Sequence, residues 1–315
     1  MAELRRAAVI GTGTMGPGMG AVLARAGLET ALQDVSEEAL ERARTAAELA
    51  AGVLERLESP AAPGGSLRFE PDLAAAIAGA DVVLEAVPED LDLKHRVFRE
   101  IEANVSDDCV LASNTSGIPI TRIAEACARP ERVVGMHWSN PPHLIPMIEV
   151  IPGERTDPAV VEASCELVRS FGYHPVVERE IAGFVENRVL YAIMRECLDL
   201  VDRGVIDPEG LDLNVRWGIG YKLAVIGPMA LLDMAGLDIY DAVGSYLNRD
   251  LPTSSEVSRT IRERIEQGRL GIKTGGGLFD YTAEQVERLR AERAAKFVAV
   301  RRAIEQVERA QGTPA

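Results

Sequence analysis

Residues 11–16 read Gly-Thr-Gly-Thr-Met-Gly and stand between a short apolar run, Ala7–Ile10, and a stretch of helical character, Thr14–Ala26. Glycines at this spacing serve the pyrophosphate of a dinucleotide. Gly11 makes the tight turn, Gly13 lets the backbone approach the phosphates, and Gly16 lets helix and strand pack closely. Thr14 and Met15 complete the loop, and the helix that opens there turns its positive end toward the phosphates. A second strand pattern ends at Asp34, 23 residues after Gly11. A carboxylate at that place accepts hydrogen bonds from both ribose hydroxyls and repels a 2′-phosphate. Val35 and Ser36 follow it, not arginine. NAD, not NADP, is the cofactor these residues predict.

Such a loop needs a parallel sheet behind it, and the pattern of the first half supplies one. Strand-like segments at Ala7–Ile10, up to Asp34, at Asp81–Ala86, Cys109–Ser113 and Arg132–His137 alternate with helical segments at Thr14–Ala26, Glu37–Leu57, Asp72–Ile77, Leu91–Val105 and Ile120–Cys127. This βα alternation predicts an α/β fold with helices on both faces of the sheet. Ser36 is placed to cap the long helix after Asp34. The stretch Ser59-Pro-Ala-Ala-Pro-Gly-Gly-Ser66 is a turn-rich break. Met147–Ile151 and Pro175–Glu178 are two further strands around a helix near Asp157–Phe171. Beyond Gly183 the strands cease. Val185–Arg203, Pro208–Trp217, Met229–Leu247 and Ser255–Gln267 read as helices, and Ala283–Ala310 as a long charged one. The expectation is a Rossmann-type doubly wound sheet that binds NAD over residues 1–182, then an all-α domain over 183–315.

A chain of 315 residues with 47% hydrophobic residues can fill two cores. Its formal net charge of -15 argues against nucleic acid and anionic membrane surfaces as partners, because both repel it. No apolar run approaches the roughly 18 residues of a membrane span, and the N-terminus enters a strand pattern directly. Cys109, Cys127, Cys165 and Cys197 are irregularly spaced and form no metal-ligand pattern. They read as free thiols of a cytoplasmic protein, with no metal site.

Six further segments carry a resemblance. They are Glu85-Ala-Val-Pro-Glu-Asp-Leu-Asp-Leu-Lys94, Ser113-Asn-Thr-Ser116, Gly135-Met-His-Trp-Ser-Asn-Pro141, Ile148-Glu-Val150, Gly183-Phe-Val-Glu-Asn-Arg188 and Gly271-Ile-Lys-Thr-Gly-Gly-Gly-Leu-Phe-Asp-Tyr281. In this order and spacing the chain resembles the L-3-hydroxyacyl-CoA dehydrogenase family over nearly its whole length. The resemblance implies a catalytic pair, His137 as general base and Glu149 on its other nitrogen. Imidazole titrates near neutral pH, which suits it to take the proton that an alcohol loses along with a hydride. The resemblance further implies that Ser116 and Asn187 hydrogen-bond the substrate oxygen and the base, and that Glu89, Lys94 and Asn114 lie along the nicotinamide and its ribose. It also implies a small-molecule substrate and a homodimer formed through the helical domain.

Several positions depart from the family pattern. Trp138-Ser139 stands where an aromatic pair is usual, Pro142-His143 replaces a more apolar stretch, Glu186 takes a place often apolar, and Ala182 stands where proline is common. These changes make the pocket more polar. The helix Glu37–Leu57, which would meet CoA phosphates, has no lysine, only Arg42, Arg44 and Arg56. Gly218-Ile-Gly-Tyr-Lys-Leu-Ala-Val-Ile-Gly-Pro228 is longer between its glycines than in the CoA enzymes. It resembles a branch of the family that acts on small free acids, carnitine and gulonate among them. Lys222, one of four lysines, is the residue there that could pair with a substrate carboxylate. The leading reading is an NAD-dependent dehydrogenase of a small carboxylate-bearing alcohol or hydrated aldehyde. The alternatives are a short-chain 3-hydroxyacyl-CoA dehydrogenase and a non-catalytic NAD-binding protein.

Overall fold

The computed structural model describes residues 4–311 and divides into two compact units. One holds the chain through Asn187 together with the end of the terminal helix from Glu308. The other is Arg188–Val307.

The first unit is built on one eight-stranded sheet: β1 (Arg6–Ile10), β2 (Glu29–Gln33), β3 (Ser66–Glu70), β4 (Val82–Glu85), β5 (Val110–Ser113), β6 (Val133–Trp138), β7 (Met147–Pro152) and β8 (His174–Val177). Its strand order is β3-β2-β1-β4-β5-β6-β7-β8. Every neighbouring pair is parallel except β6 and β7. The order runs outward in both directions from β1 and β4, and at such a reversal a crevice opens beyond the carboxyl ends of the strands. Six helices connect the strands: α1 (Gly16–Arg25), α2 (Glu37–Arg56), α3 (Leu73–Ile77), α4 (Leu91–Asn104), α5 (Ile120–Ala124) and α6 (Pro158–Ser170). Ser36 caps α2 by accepting from the Ala39 amide, and Asp90 caps α4 by accepting from the Leu93 amide. β1 shows why the central strands are continuous apolar runs. Ala7 and Val9 enter one core layer with Met19, Leu23 and Leu54; Ala8 and Ile10 enter the opposite layer with Phe98, Ile101 and Leu111.

Two features of the sheet differ from the sequence expectation. β3 is a strand that the polar segment Ser66–Glu70 does not announce; it lies at the edge, where Arg68 and Glu70 reach solvent and pair with each other. β7 returns antiparallel to β6 because only a short loop joins them, whereas a parallel return needs a long crossover.

The second unit is helical. It contains the body of α7 (Phe184–Asp202), then α8 (Pro208–Asn214), a wider π-type stretch at Val215–Gly220, α9 (Tyr221–Leu223), α10 (Pro228–Ala235), α11 (Leu237–Leu247), α12 (Arg259–Glu266) and most of α13 (Ala283–Gln311). The single helix expected over Met229–Leu247 is two, broken at Gly236. The helix expected over Ser255–Gln267 is the shorter α12. Among the described residues no single helix is long and apolar enough to cross a membrane.

Candidate active site

The glycine loop follows β1, with the Gly11 amide donating to Gln33 O at 2.8 Å. Gly11 has φ +101°, and a Cβ there would lie 2.7 Å from Ala86 O; a Cβ on Gly16 would lie 2.2 Å from Gly11 O. Neither position admits a side chain without moving backbone. Gly13 faces open space instead, room that a pyrophosphate can take. Thr14 is exposed and Met15 half-buried at the start of α1. Asp34 Oδ2 accepts from Thr12 Oγ1 at 2.8 Å and from the Thr12 amide at 3.1 Å, while Oδ1 accepts from the Ser36 amide. Burial pushes the Asp34 carboxyl up, but the Thr12 hydroxyl and the amides of Thr12, Ser36 and Val35 outweigh it and hold it below the usual range. Asp34 is therefore a fixed negative charge, which favours ribose hydroxyls and repels a 2′-phosphate. A cavity of about 420 Å³ is lined by Thr12, Gly13, Pro17, Asp34, Ala39 and Arg42. The residues present fit NAD.

Beyond β4 lies a buried charge cluster. Lys94 and Glu85 are both fully buried. Lys94 Nζ donates to both Glu85 oxygens at 2.8 and 2.9 Å, and Glu85 also accepts from Ser113 Oγ at 2.6 Å and the Val87 amide at 2.7 Å. Lys94 reaches Glu89 at 3.3 Å. Glu89 accepts in turn from Thr115 Oγ1 at 2.6 Å and the Ser116 amide at 2.9 Å. Burial raises the Glu89 carboxyl, but Thr115, Lys94 and Ser116 prevail and keep it ionised. Lys94 thus acts from beneath, and Glu89 is the exposed member of the cluster. Asn114 Oδ1 accepts from the Trp138 amide at 2.9 Å, tying the end of β5 to β6.

His137 on β6 lies directly opposite Glu149 on β7 in the antiparallel register, so both side chains emerge on the same face. His137 Nδ1 donates to Glu149 Oε2 at 2.6 Å, and both residues are buried. That bond fixes the tautomer and leaves the lone pair on Nε2. Glu149 Oε1 accepts from the Glu186 amide at 2.7 Å and the Val185 amide at 3.1 Å, both in the first turn of α7. Burial raises the Glu149 carboxyl; the bond from His137, the Glu186 amide, the His137 charge and Glu178 more than offset this, so it is lowered. The Phe184 ring stands 5.6 Å from the imidazole, centre to centre. Asn187 Nδ2 donates to Ser116 O at 3.1 Å, which brings the loop after β5 against the start of α7. A buried imidazole so held can take a proton from a hydroxyl.

The family model for the 3-hydroxyacyl-CoA dehydrogenase NAD binding domain matches residues 6–181, and that for its C-terminal domain matches residues 183–281. The chain belongs to the 3-hydroxyacyl-CoA dehydrogenase family. It is an NAD-dependent dehydrogenase, which sets aside the reading as a non-catalytic NAD-binding protein. A relative from Mesorhizobium japonicum, 5-formyl-3-hydroxy-2-methylpyridine 4-carboxylate 5-dehydrogenase, is 55% identical over 305 residues, 96% of this chain and 99% of its own. A crystal structure of an enzyme with that activity, described as an NAD+-dependent dismutase, has 54% identity and a TM-score of 0.94, with 96% of this dehydrogenase and 99% of that chain covered. The (S)-3-hydroxybutyryl-CoA dehydrogenase PaaH1 of Ralstonia eutropha has 29% identity and a TM-score of 0.71, with 89% and 100% covered.

Of the expected site residues, the glycine loop and Asp34 form one group. Glu89, Lys94, Asn114, Ser116, His137, Glu149 and Asn187 cluster around the ends of β4 to β7. Lys222 is exposed on α9 in the second unit of the dehydrogenase. Sequence reasoning missed Thr12, which holds Asp34, and Glu85, the buried partner of Lys94. It also missed Glu178, which closes β8 beside Glu149. Glu186, noted only as a polar departure, accepts a short hydrogen bond from Ser139 Oγ. A carboxylate and a serine in places otherwise apolar were the available signal for that last pair.

Proposed function

We propose that this dehydrogenase oxidises the formyl group of a small pyridine carboxylate, 5-formyl-3-hydroxy-2-methylpyridine 4-carboxylate, through its hydrate. The observation that carries the chemistry is the buried His137–Glu149 pair; the substrate rests on the 55% identical relative. Water adds to the aldehyde to give a gem-diol. Nε2 of His137 takes one hydroxyl proton while the carbon loses its hydrogen, and the carboxylic acid remains. NAD, when bound, accepts that hydrogen as hydride. Glu149 stabilises the imidazolium, and Ser116 and Asn187 hold the substrate oxygen and the base. Glu89 and Asn114 line the nicotinamide side, with Lys94 supporting Glu89 from below. The route needs no thiol, in keeping with burial pushing Cys109 and Cys127 up to about 12.

The test is NADH formation from this aldehyde, 3-hydroxybutyryl-CoA, carnitine and gulonate. The aldehyde should give the highest kcat/KM. A preference for the acyl-CoA would support the runner-up reading instead.

In this reading residues 1–182 bind NAD, and residues 183–315 contribute substrate contacts and the dimer. Lys222 pairs with the substrate carboxylate. Breaking a partly desolvated charge pair costs at least about 2 kcal/mol, so Lys222→Ala should raise KM for the aldehyde roughly thirtyfold or more with a smaller change in kcat. An unchanged KM removes Lys222 from the site.

The homodimer has its own support. None of the residues of α8 to α11 is buried, and Trp217, Tyr221, Val225, Met229 and Met234 are 57–77% exposed. An apolar surface of this extent in water calls for a partner, and a second copy of the chain presents the same surface. Sedimentation equilibrium should give twice 34.0 kDa, and Met229→Asp with Met234→Asp should shift the protein toward monomer. A stable wild-type monomer contradicts this. The four free thiols suit a reducing cytoplasm, to be checked by fractionating cells that express the native protein.

A further inference from the structure

Glu149 is not the only carboxylate behind His137. Glu178 follows β8, and its amide donates to Val150 O at 3.2 Å, one residue past Glu149 on β7. A single N–H, that of Val185, is shared between Glu149 Oε1 at 3.1 Å and Glu178 Oε1 at 3.0 Å. Two ionised carboxylates around one amide hydrogen repel each other. Glu178 Oε2 is buried and meets no N–H or O–H donor among the described residues. A charged oxygen left that way is costly, whereas a protonated one is not. Among the described residues no lysine or arginine pairs with Glu178. β7 presents Glu149, β6 presents His137, and α7 presents Glu186, whose carboxylate is held by Ser139. On its own segment Arg179 is exposed, and Glu180 is taken up by the hydroxyl and amide of Thr121.

We propose that Glu178 is a positioning residue of the acid–base site, a carboxyl that holds a proton against Glu149 and so sets the pH range in which His137 works. The proposal rests on the reading of His137 as the base. Protonated Glu178 donates its O–H to Glu149, and the two carboxyls then carry one negative charge between them. Glu149 shares that charge among the His137 Nδ1–H, two amides and this O–H. When Glu178 ionises, the proton goes to solvent, and a second negative charge stands behind the imidazolium that forms on His137. Burial, and then the Glu149 charge, push the Glu178 carboxyl up to about 7, within the range where an imidazole base operates. The titration then belongs to the assembly, not to one residue.

Glu178→Gln keeps a donor toward Glu149 and cannot ionise. Where wild-type Glu178 would have ionised, the variant carries one negative charge fewer, so the imidazolium gives up its proton at lower pH. The acid limb of kcat/KM for the pyridine aldehyde with NAD should therefore move down by about one pH unit, the scale of coupling between such groups. NAD affinity should stay unchanged, and Glu178→Asp should keep the wild-type limb. An acid limb that does not move in folded Glu178→Gln overturns the proposal, whatever happens to kcat. Infrared spectroscopy of the wild-type protein without substrate reads the proton directly. Carbon-13 labelled glutamate should show a carboxylic-acid C=O band that titrates near 7; its absence also overturns the proposal. Because this second reading needs no turnover, it stands apart from any failure of the proposed substrate.

Discussion

Replacing His137 with alanine should lower kcat by about 10²–10⁴-fold, the usual contribution of a positioned general base, while NAD binds as before. The expectation comes from geometry. His137 is buried on the last strand of the parallel run, its tautomer is set by Glu149 at 2.6 Å, and Glu149 is itself anchored by two amides of α7. The glycine loop and Asp34 belong to a separate group around β1, so cofactor binding should survive. Glu149→Gln should cost less, since the imidazole remains and only the charge that stabilises its protonated form is lost. Initial rates with the pyridine aldehyde, beside NAD titrations of each variant, check both. Full activity in folded His137→Ala removes it as the base.

Lys94→Ala should have the largest effect on stability. Lys94 and Glu85 are both fully buried, and their ion pair is completed by Ser113 and the Val87 amide. Removing one partner of such a pair strands the other charge, at a cost of about 3–5 kcal/mol. For a unit of this size that corresponds to a fall of roughly 6–20 °C in Tm at about 2–4 °C per kcal/mol. Adding Glu85→Gln should recover much of the loss, because the stranded charge is then gone. NAD affinity should also weaken, through Glu89, which loses its cation. Calorimetry of the single and double variants decides. A melting point within about 2 °C of wild type, or a double variant less stable than Lys94→Ala, contradicts this account.

The sequence was most legible where structure is local. The Ser36 cap is set three residues on, by the Ala39 amide, and the glycine turn and Asp34 stand at the ends of two strands that pair within the first 34 residues of the chain. Legibility failed where the fold turns on distant partners. Ser66–Glu70 is too polar to look like a strand, yet it completes the sheet edge by pairing with β2. Met229–Leu247 has one continuous apolar pattern, and only the φ of +100° at Gly236 divides it. The apposition of His137 and Glu149 depends on β7 running back along β6, and apolar strands carry no mark of direction. Glu178 and Glu186 join the site through the register of β8 and the entry of α7. Glu186 shows in the sequence only as a carboxylate in a place otherwise apolar, and Glu178 has no local pattern that marks it.

The central claim is that the substrate carbon gives its hydrogen directly to NAD as hydride. The pyridine aldehyde carrying deuterium on its formyl carbon tests it most directly. After incubation with the enzyme and NAD, mass spectrometry should find the carboxylic acid without deuterium. The label should be on C4 of NADH, or on the carbinol carbon of any alcohol formed when NADH is spent on a second aldehyde. Deuterium released into water, or acid formed with unlabelled NADH, would contradict the account.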